Sequence, residues 1–244
     1  MNTLQIDKEK YINKIIFGDA IKEMENIHRD GIVVDAIITD PPYNISKKNG
    51  FSTLKKPRKG IDFGEWDKGF NQTSWIKPAI ELLKNGGNII IFNTWRNISY
   101  IANELEKNGC AVKDLIRWIK TNPMPRNMNR RYISDYEFAI WAVKGNGKWT
   151  FNKDKKGYLI PEIKTGTVSG REKTKHPTQK SIILMKKLIE IHTNEKDLVL
   201  DPFTGSGTTI DACTQLKRNF IGVEISEEYH NIAENRLKKS EILL

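Results

Sequence analysis

Two short runs in this 244-residue chain carry side chains with chemical potential. The first is Asp40-Pro41-Pro42-Tyr43, placed directly after Ile37-Ile38-Thr39. Two prolines fix φ and remove two N–H donors, while their carbonyls stay open to accept hydrogen bonds. A carboxylate and an aromatic ring flank them. The result is a rigid, acceptor-rich ledge that suits an exocyclic amine on a flat heterocycle. The amine's N–H groups would donate to Asp40 and a proline carbonyl while the base stacks on Tyr43. The second run is Asp201-Pro202-Phe203-Thr204-Gly205-Ser206-Gly207-Thr208-Thr209, placed after Leu198-Val199-Leu200. Its glycines let a ligand approach the backbone closely. Glu224 ends the run Phe220-Ile221-Gly222-Val223, 224 − 205 = 19 positions after the first glycine, where an acid can grip ribose hydroxyls. The G-x-G spacing lacks the third glycine of dinucleotide sites. Asp201 beside the turn suits the positively charged amino group of a methionine moiety better than a pyrophosphate.

Chemistry of this kind needs strands that end at one edge. Residues 33–39, 88–92, 198–200 and 220–223 read as strands. They do not alternate strictly between apolar and polar, as expected when helices cover both faces. Helical spacing falls between them. Ser74 is the expected N-cap of a helix whose apolar face runs from Trp75 to Leu83 and which Gly86 and Gly87 end. A second helix carries Ile98, Ile101, Ala102 and Leu105 and stops at Gly109. A third carries Ile182, Leu184, Met185, Leu188 and Ile189. A fourth, capped by Ser226, turns Tyr229, Ile232, Ala233 and Leu237 inward, with Glu227 and Glu228 at its positive end. Strand–helix alternation predicts an α/β fold with a mostly parallel, doubly wound sheet and ligands beyond the C-terminal strand ends.

Length favours one domain over residues 1–244. Met1 to Lys10 is polar and has no apolar stretch of the signal-peptide kind, and no run reaches the ~18 apolar residues of a membrane helix, so no membrane partner is expected. Cys110 and Cys213 are read as buried free thiols. The scattered histidines and unpaired cysteines imply no metal. Forty basic against thirty acidic residues, net charge +10, point to a polyanionic partner. Three basic loops are the expected contacts. Residues 44–73 lack periodicity, hold Lys47, Lys48, Lys55, Lys56, Arg58 and Lys59, and read as a lid over the target base. Residues 117–135 hold Arg117, Lys120, Arg126, Arg130 and Arg131. The Gly-rich stretch 144–175 adds Trp149 and Phe151.

The two motifs, in this order, resemble the β group of amino-methyltransferases acting on DNA, which place Asp-Pro-Pro-Tyr before Phe-x-Gly-x-Gly. Phe17-Gly18-Asp19-Ala20, His176-Pro177-Thr178-Gln179-Lys180 and Glu224 extend the likeness over nearly the whole chain. The greatest likeness is to small adenine methyltransferases of bacterial restriction-modification systems. The resemblance implies a Rossmann-like methyltransferase fold, circularly permuted, with S-adenosyl-L-methionine (SAM) as cofactor and a cytoplasmic, bacterial setting. It implies that Asp19 and Ala20 line the cofactor's adenine, that Glu224 takes the ribose, and that Asp201, Phe203 and Gly205 hold the methionine part. Pro202, Ser206, Gly207 and Thr208 would complete that turn, with Lys180 and Asp40 closing the pocket. Asp40, Pro41, Pro42 and Tyr43 would act on the target base. Target recognition would lie between the two motifs, on DNA with a short specific site. The resemblance also leaves room for a homodimer, a cognate restriction endonuclease or a second methyltransferase. In this family Asp-Pro-Pro-Tyr usually marks adenine-N6 and Ser-Pro-Pro-Tyr cytosine-N4. The chain is therefore read as a site-specific adenine-N6 enzyme, with cytosine-N4, RNA or protein-glutamine transfer as the alternatives. An oxidoreductase on the same sheet would leave the first motif unexplained, and a DNA-binding protein with a dead site would leave Asp40, Tyr43, Gly205 and Gly207 without purpose.

Overall fold

Uninterrupted β-branched runs make the centre of the sheet, because only strands covered on both faces bury every side chain. The structure is a computed structural model and describes residues 8–44, 69–123, 129–130, 132–153 and 157–242. Eight strands form one sheet: β1 (Lys14–Phe17), β2 (Val34–Thr39), β3 (Leu83–Asn93), β4 (Cys110–Lys120), β5 (Tyr136–Lys144), β6 (Glu162–Thr165), β7 (Leu198–Asp201) and β8 (Asn219–Glu224). Among the described residues six α-helices accompany them: α1 (Ala20–Arg29), α2 (Ile76–Leu82), α3 (Ile98–Lys107), α4 (Ile182–His192), α5 (Thr208–Gln215) and α6 (Glu227–Ile242).

The strand order is β1-β8-β7-β2-β3-β5-β4-β6. From β1 to β3 every neighbour is parallel; β5 then runs antiparallel between β3 and β4, and β6 lies parallel to β4. Successive residues face opposite layers. Ile37, Ile89, Ile91 and Leu200 join the core under α1, α2 and α3. Ile38, Ile90, Phe92 and Val199 join the core under α4, α5 and α6. The chain leaves β2 through α2 towards β3, and leaves β7 through α5 towards β8 in the opposite direction. The β7/β2 boundary is therefore the switch point, where the crevice of a doubly wound sheet opens. The β2 half precedes the glycine-turn half in the chain, as the permuted arrangement requires.

Three local expectations need correction. Gly86 and Gly87 do not end a helix. α2 stops at Leu82, and both glycines lie within β3. Gly86 has φ +78, and a Cβ there would sit 2.5 Å from the Lys148 carbonyl oxygen. The pair permits a tight backbone crossing rather than a stop. Ser74 is not the cap either. The N-cap is Trp75, without a side-chain bond, and the Asn71 Oδ1 accepts from the Thr73 and Ser74 N–H groups instead. Finally, residues 117–135 and 144–175 are not loops throughout, since 117–120 end β4 and 162–165 form β6. The caps at Ser226 and the stop at Gly109, with φ +80, are found where the sequence puts them. Both cysteines are buried and free. No helix among the described residues is long and apolar enough to cross a membrane.

Candidate active site

The two motifs meet at the switch point because β2 and β7 are direct neighbours. The Thr39 hydroxyl, at the end of β2, donates 2.7 Å to Asp201 Oδ1 at the end of β7. Both groups are buried, so each needs the other. The Phe203 N–H donates to the same oxygen at 3.2 Å. Burial pushes Asp201 up to about 6, and hydrogen bonds from Thr209, Thr39 and the Phe203 N–H offset only part of that rise.

The glycine turn follows. Gly205, with φ +55, donates its N–H 2.7 Å to Glu224 Oε2, and the Ser226 N–H donates 2.8 Å to Glu224 Oε1. Burial raises the Glu224 carboxyl, against the pull of these backbone donors. Glu224 thus locks the ends of β7 and β8 together. Phe203 packs edge-on against Phe70 and Trp75, with ring centroids 5.3 and 5.1 Å apart. The His176 ring lies over the turn, where a Cβ on Gly205 would come 3.1 Å from its Nε2. Burial, then the Lys180 and Arg236 cations, lower His176 to about 4, so its ring is neutral at pH 7.

On the β2 side the ledge is braced from below. Gln72 Nε2 donates 2.8 Å to the Pro42 carbonyl, Asn93 Nδ2 donates 2.9 Å to Gln72 Oε1, and Asn97 Nδ2 donates 2.8 Å to Asn93 Oδ1. Asn44 and Phe70 exchange two bonds of 2.6 and 2.9 Å, which hold these two residues side by side. The Tyr43 hydroxyl donates to Asp40 Oδ1, and the Lys180 ammonium donates to Asp40 Oδ2. The same ammonium is 3.2 Å from Glu137 Oε2. Lys120 donates 2.5 Å to Glu137 Oε1. Two acids and two lysines alternate in one row, with Lys180 buried and the other three partly buried. Burial raises Asp40, Glu137 adds to the rise, and Lys180 opposes it. Burial also acts to raise Glu137, but Lys180 and Lys120 outweigh it and hold that carboxyl below its usual range. Lys180 stays above its ordinary value, because Asp40 and Glu137 overcome the cost of its burial.

The charge row, Tyr43, His176, Asp201, Glu224 and the 203–206 turn line one cavity of about 900 Å³, the size of pocket that encloses a small organic ligand. Along the strand order its wall runs from Asp19 and Ala20 after β1, through Glu224 and the 201–206 turn, to the ledge after β2 and to Glu137 and Trp118 beyond it. Of the residues expected at the cofactor and the base, Gly207 is not on the wall. It takes φ +79, and a Cβ there would meet Ala233 at 2.9 Å, so it permits close packing of α5 on α6. Asp19 lines the cavity and also caps α1, its Oδ1 accepting from the Lys22 N–H at 3.0 Å. Tyr43 is not an open plate: its ring lies 5.3 Å from the Lys180 ammonium.

The expected nucleic-acid contacts fare differently. Lys47, Lys48, Lys55, Lys56, Arg58, Lys59, Arg126 and Arg131 lie outside the described residues. Arg130 is exposed and off the cavity wall. Arg117 pairs with Glu162, and Lys120 pairs inward with Glu137. Phe151 stacks on Trp141 at 5.2 Å, and Trp118 is buried, donating 2.7 Å to Thr165 Oγ1. Sequence reasoning missed Glu137, Asn93 and Gln72. The only signal for Glu137 was one acid between apolar neighbours in Tyr136-Glu137-Phe138-Ala139.

The family model described as DNA methylase matches residues 34–235. The chain is 33% identical over 251 residues to the Type II methyltransferase M2.LlaDCHI of Lactococcus lactis subsp. cremoris, covering 96% of this chain and 91% of that protein. It is also 33% identical over 250 residues to the Type II methyltransferase M2.DpnII of Streptococcus pneumoniae, covering 93% and 92%. Among solved structures, the crystal structure of the M1.HpyAVI–SAM complex matches with TM-score 0.77 and 48% identity over 92% of this chain and 98% of that chain.

Proposed function

This chain belongs to the DNA methylase family, and we propose that it is a site-specific DNA adenine-N6 methyltransferase using SAM. The observation that carries the reading is the shared cavity: Asp40 and the Gly205 turn open onto the same space, joined beneath it by the Thr39–Asp201 bond. The donor set fits the cofactor. A buried carboxylate, Asp201, beside a glycine turn suits a cationic amino-acid end. A second acid, Glu224, at the end of the next strand suits a ribose, and Asp19 and Ala20 lie one strand further, beside an adenine. Each strand step is about 4.8 Å, so strands β1 and β2 are separated by about 14 Å across three steps. SAM supplies an electrophilic methyl on a sulfonium.

The rest of the chemistry falls to the ledge. The adenine N6 lone pair is delocalised into the ring and is a poor nucleophile. Asp40 and the Pro41 carbonyl accept its two N–H bonds and favour a pyramidal nitrogen. The Asp40 charge stabilises the positive charge that develops on that nitrogen as the methyl parts from its sulfur, and the nitrogen then loses one proton to Asp40 or to water. Tyr43, on the cavity wall, would flank the base, and the braced Pro42 would keep the acceptors in place as the target leaves the duplex. Residues 1–244 act as one catalytic domain, with the basic segments as lid and recognition elements. Expression in a methylation-free host followed by base-resolved sequencing tests this reading. One short motif should carry N6-methyladenine. N4-methylcytosine in its place would transfer the assignment to cytosine, and unmodified DNA would refute it. The relatives are Type II methyltransferases, which favours a restriction-modification partner and a bacterial cytoplasmic setting.

Two further outcomes follow from the charges. SAM should bind about tenfold more weakly at pH 5 than at pH 7. Free Asp201 titrates at about 6. A cationic ligand draws its carboxyl down, so affinity is full above that value and is lost as pH falls through it. Calorimetry at both pH values checks this: Asp201→Asn should flatten the dependence, and equal wild-type affinities would contradict it. DNA affinity should fall with salt, with a log–log slope near about −0.9 per neutralised phosphate. A fluorescence anisotropy titration series in which affinity ignored salt would remove the basic segments from the interface.

A further inference from the structure

Asp40 is fully engaged before any base arrives. Tyr43 donates to one oxygen and Lys180 to the other. Lys180 is also a cation beside the position where a nitrogen must become positive, so leaving it on Asp40 opposes the reaction it lies next to. Yet Lys180 is buried and needs a carboxylate. Glu137 Oε2 forms an ion pair with its Nζ at 3.2 Å. This oxygen is buried and, beyond that ion pair, has no partner of hydrogen-bond geometry among the described residues. Its twin, Oε1, is held by Lys120, which fixes the carboxylate plane. A buried acceptor with spare capacity, already ion-paired to a cation whose shorter bond goes elsewhere, can take that cation over. The Tyr43 and Phe92 rings lie 5.3 and 5.2 Å from the ammonium, walls that serve the cation at either carboxylate.

We propose that Glu137 is a positioning residue that receives the Lys180 ammonium when the target amine takes Asp40. This rests on the reading of Asp40 as the acceptor for that amine. The transfer is a shift of hydrogen bonds with no proton lost: Lys180 releases Asp40 Oδ2, bonds Glu137 Oε2, and the amine N–H fills the place left. The row keeps its net charge, and the cation moves away from the reacting nitrogen. The groups facing Asp40 are Tyr43, Lys180, Glu137 and, across the switch point, Asp201; those facing Glu137 are Lys120, Lys180 and Asp40.

The test is steady-state methylation of duplex DNA by wild type, Glu137→Gln and Glu137→Asp from pH 5 to 9, with SAM affinity and melting measured alongside. Glu137→Gln should lower kcat by about tenfold to hundredfold, the scale of a misplaced catalytic group, with SAM affinity unchanged. Its acid limb should move to lower pH, because the neighbouring charge that helps raise Asp40 is gone. Glu137→Asp keeps the charge and should keep the wild-type acid limb while recovering part of kcat. If Glu137→Gln alone does not fold, Glu137→Gln with Lys120→Gln removes the orphaned cation, and the same kinetic changes are expected. Wild-type kcat in these variants, or a loss of kcat with an unmoved acid limb, would overturn the proposal. Absence of methylation by the wild-type protein would instead refute the function on which it rests.

Discussion

Replacing Asp40 by alanine is expected to lower methyl transfer by about three orders of magnitude while SAM still binds, the scale on which losing a preorganised charge-stabilising group acts. The two effects separate because the two halves of the cavity are built differently. Asp40 stands at the end of β2, and its partners are Tyr43 and Lys180. The proposed cofactor cradle is held by backbone bonds at the ends of β7 and β8, Gly205 to Glu224 and Ser226 to Glu224. Removing Asp40 breaks none of them. Lys180 keeps Glu137 as a counterion, so the fold should survive. Single-turnover assays with labelled SAM read the loss directly, and calorimetry reads the retained affinity. A turnover within a few fold of wild type would leave Asp40 without its assigned role.

Gly205→Val should do the reverse and weaken SAM binding by about a hundredfold or more. A β-branched residue at φ +55 is a strained outlier, and the new Cβ would come 3.1 Å from His176 Nε2. His176 packs edge-on against Tyr229, with ring centroids 4.4 Å apart, so it has little room to yield. The two γ-methyls would enter the cavity above the turn. The strain also bears on the Gly205–Glu224 bond, so the acid meant for the ribose would lose its anchor. A loss of about 2.7 kcal/mol of binding corresponds to that hundredfold. Unchanged affinity by calorimetry would place the cofactor elsewhere.

The parts of the site legible in the sequence are those in which chemistry and strand end are contiguous. Asp40 follows Thr39 and Asp201 follows Leu200, so a buried run points straight at each acid. Glu224 was legible for the same reason. The charge row was not. Lys180 reaches Asp40 across 140 positions, and Glu137 sits in the antiparallel strand β5, which, like its neighbour β4, no local pattern announces. β4 itself is broken by a register shift between Val112 and Asp114, which disturbs the alternation that would mark a half-buried strand. Lys120 was read as a phosphate contact because residues 117–131 hold no acid. Its acid comes from the next strand instead. Gly86 and Gly87 were misread for a related reason: the crowding they relieve, at Lys148 and Leu83, is tertiary for the first and invisible to helix-stop rules. Gly207 shows the same limit, since its neighbour Ala233 lies on α6.

The most direct measurement is a crystal structure of the protein with a non-reactive SAM analogue and a duplex carrying its target site. An extruded adenine should lie between Tyr43 and the cofactor, with N6 bonded to Asp40 and the Pro41 carbonyl, about 3–3.5 Å from the position of the transferable methyl. A cofactor seated away from the Gly205 turn, or a target base bound out of reach of Asp40, would contradict the proposed chemistry outright.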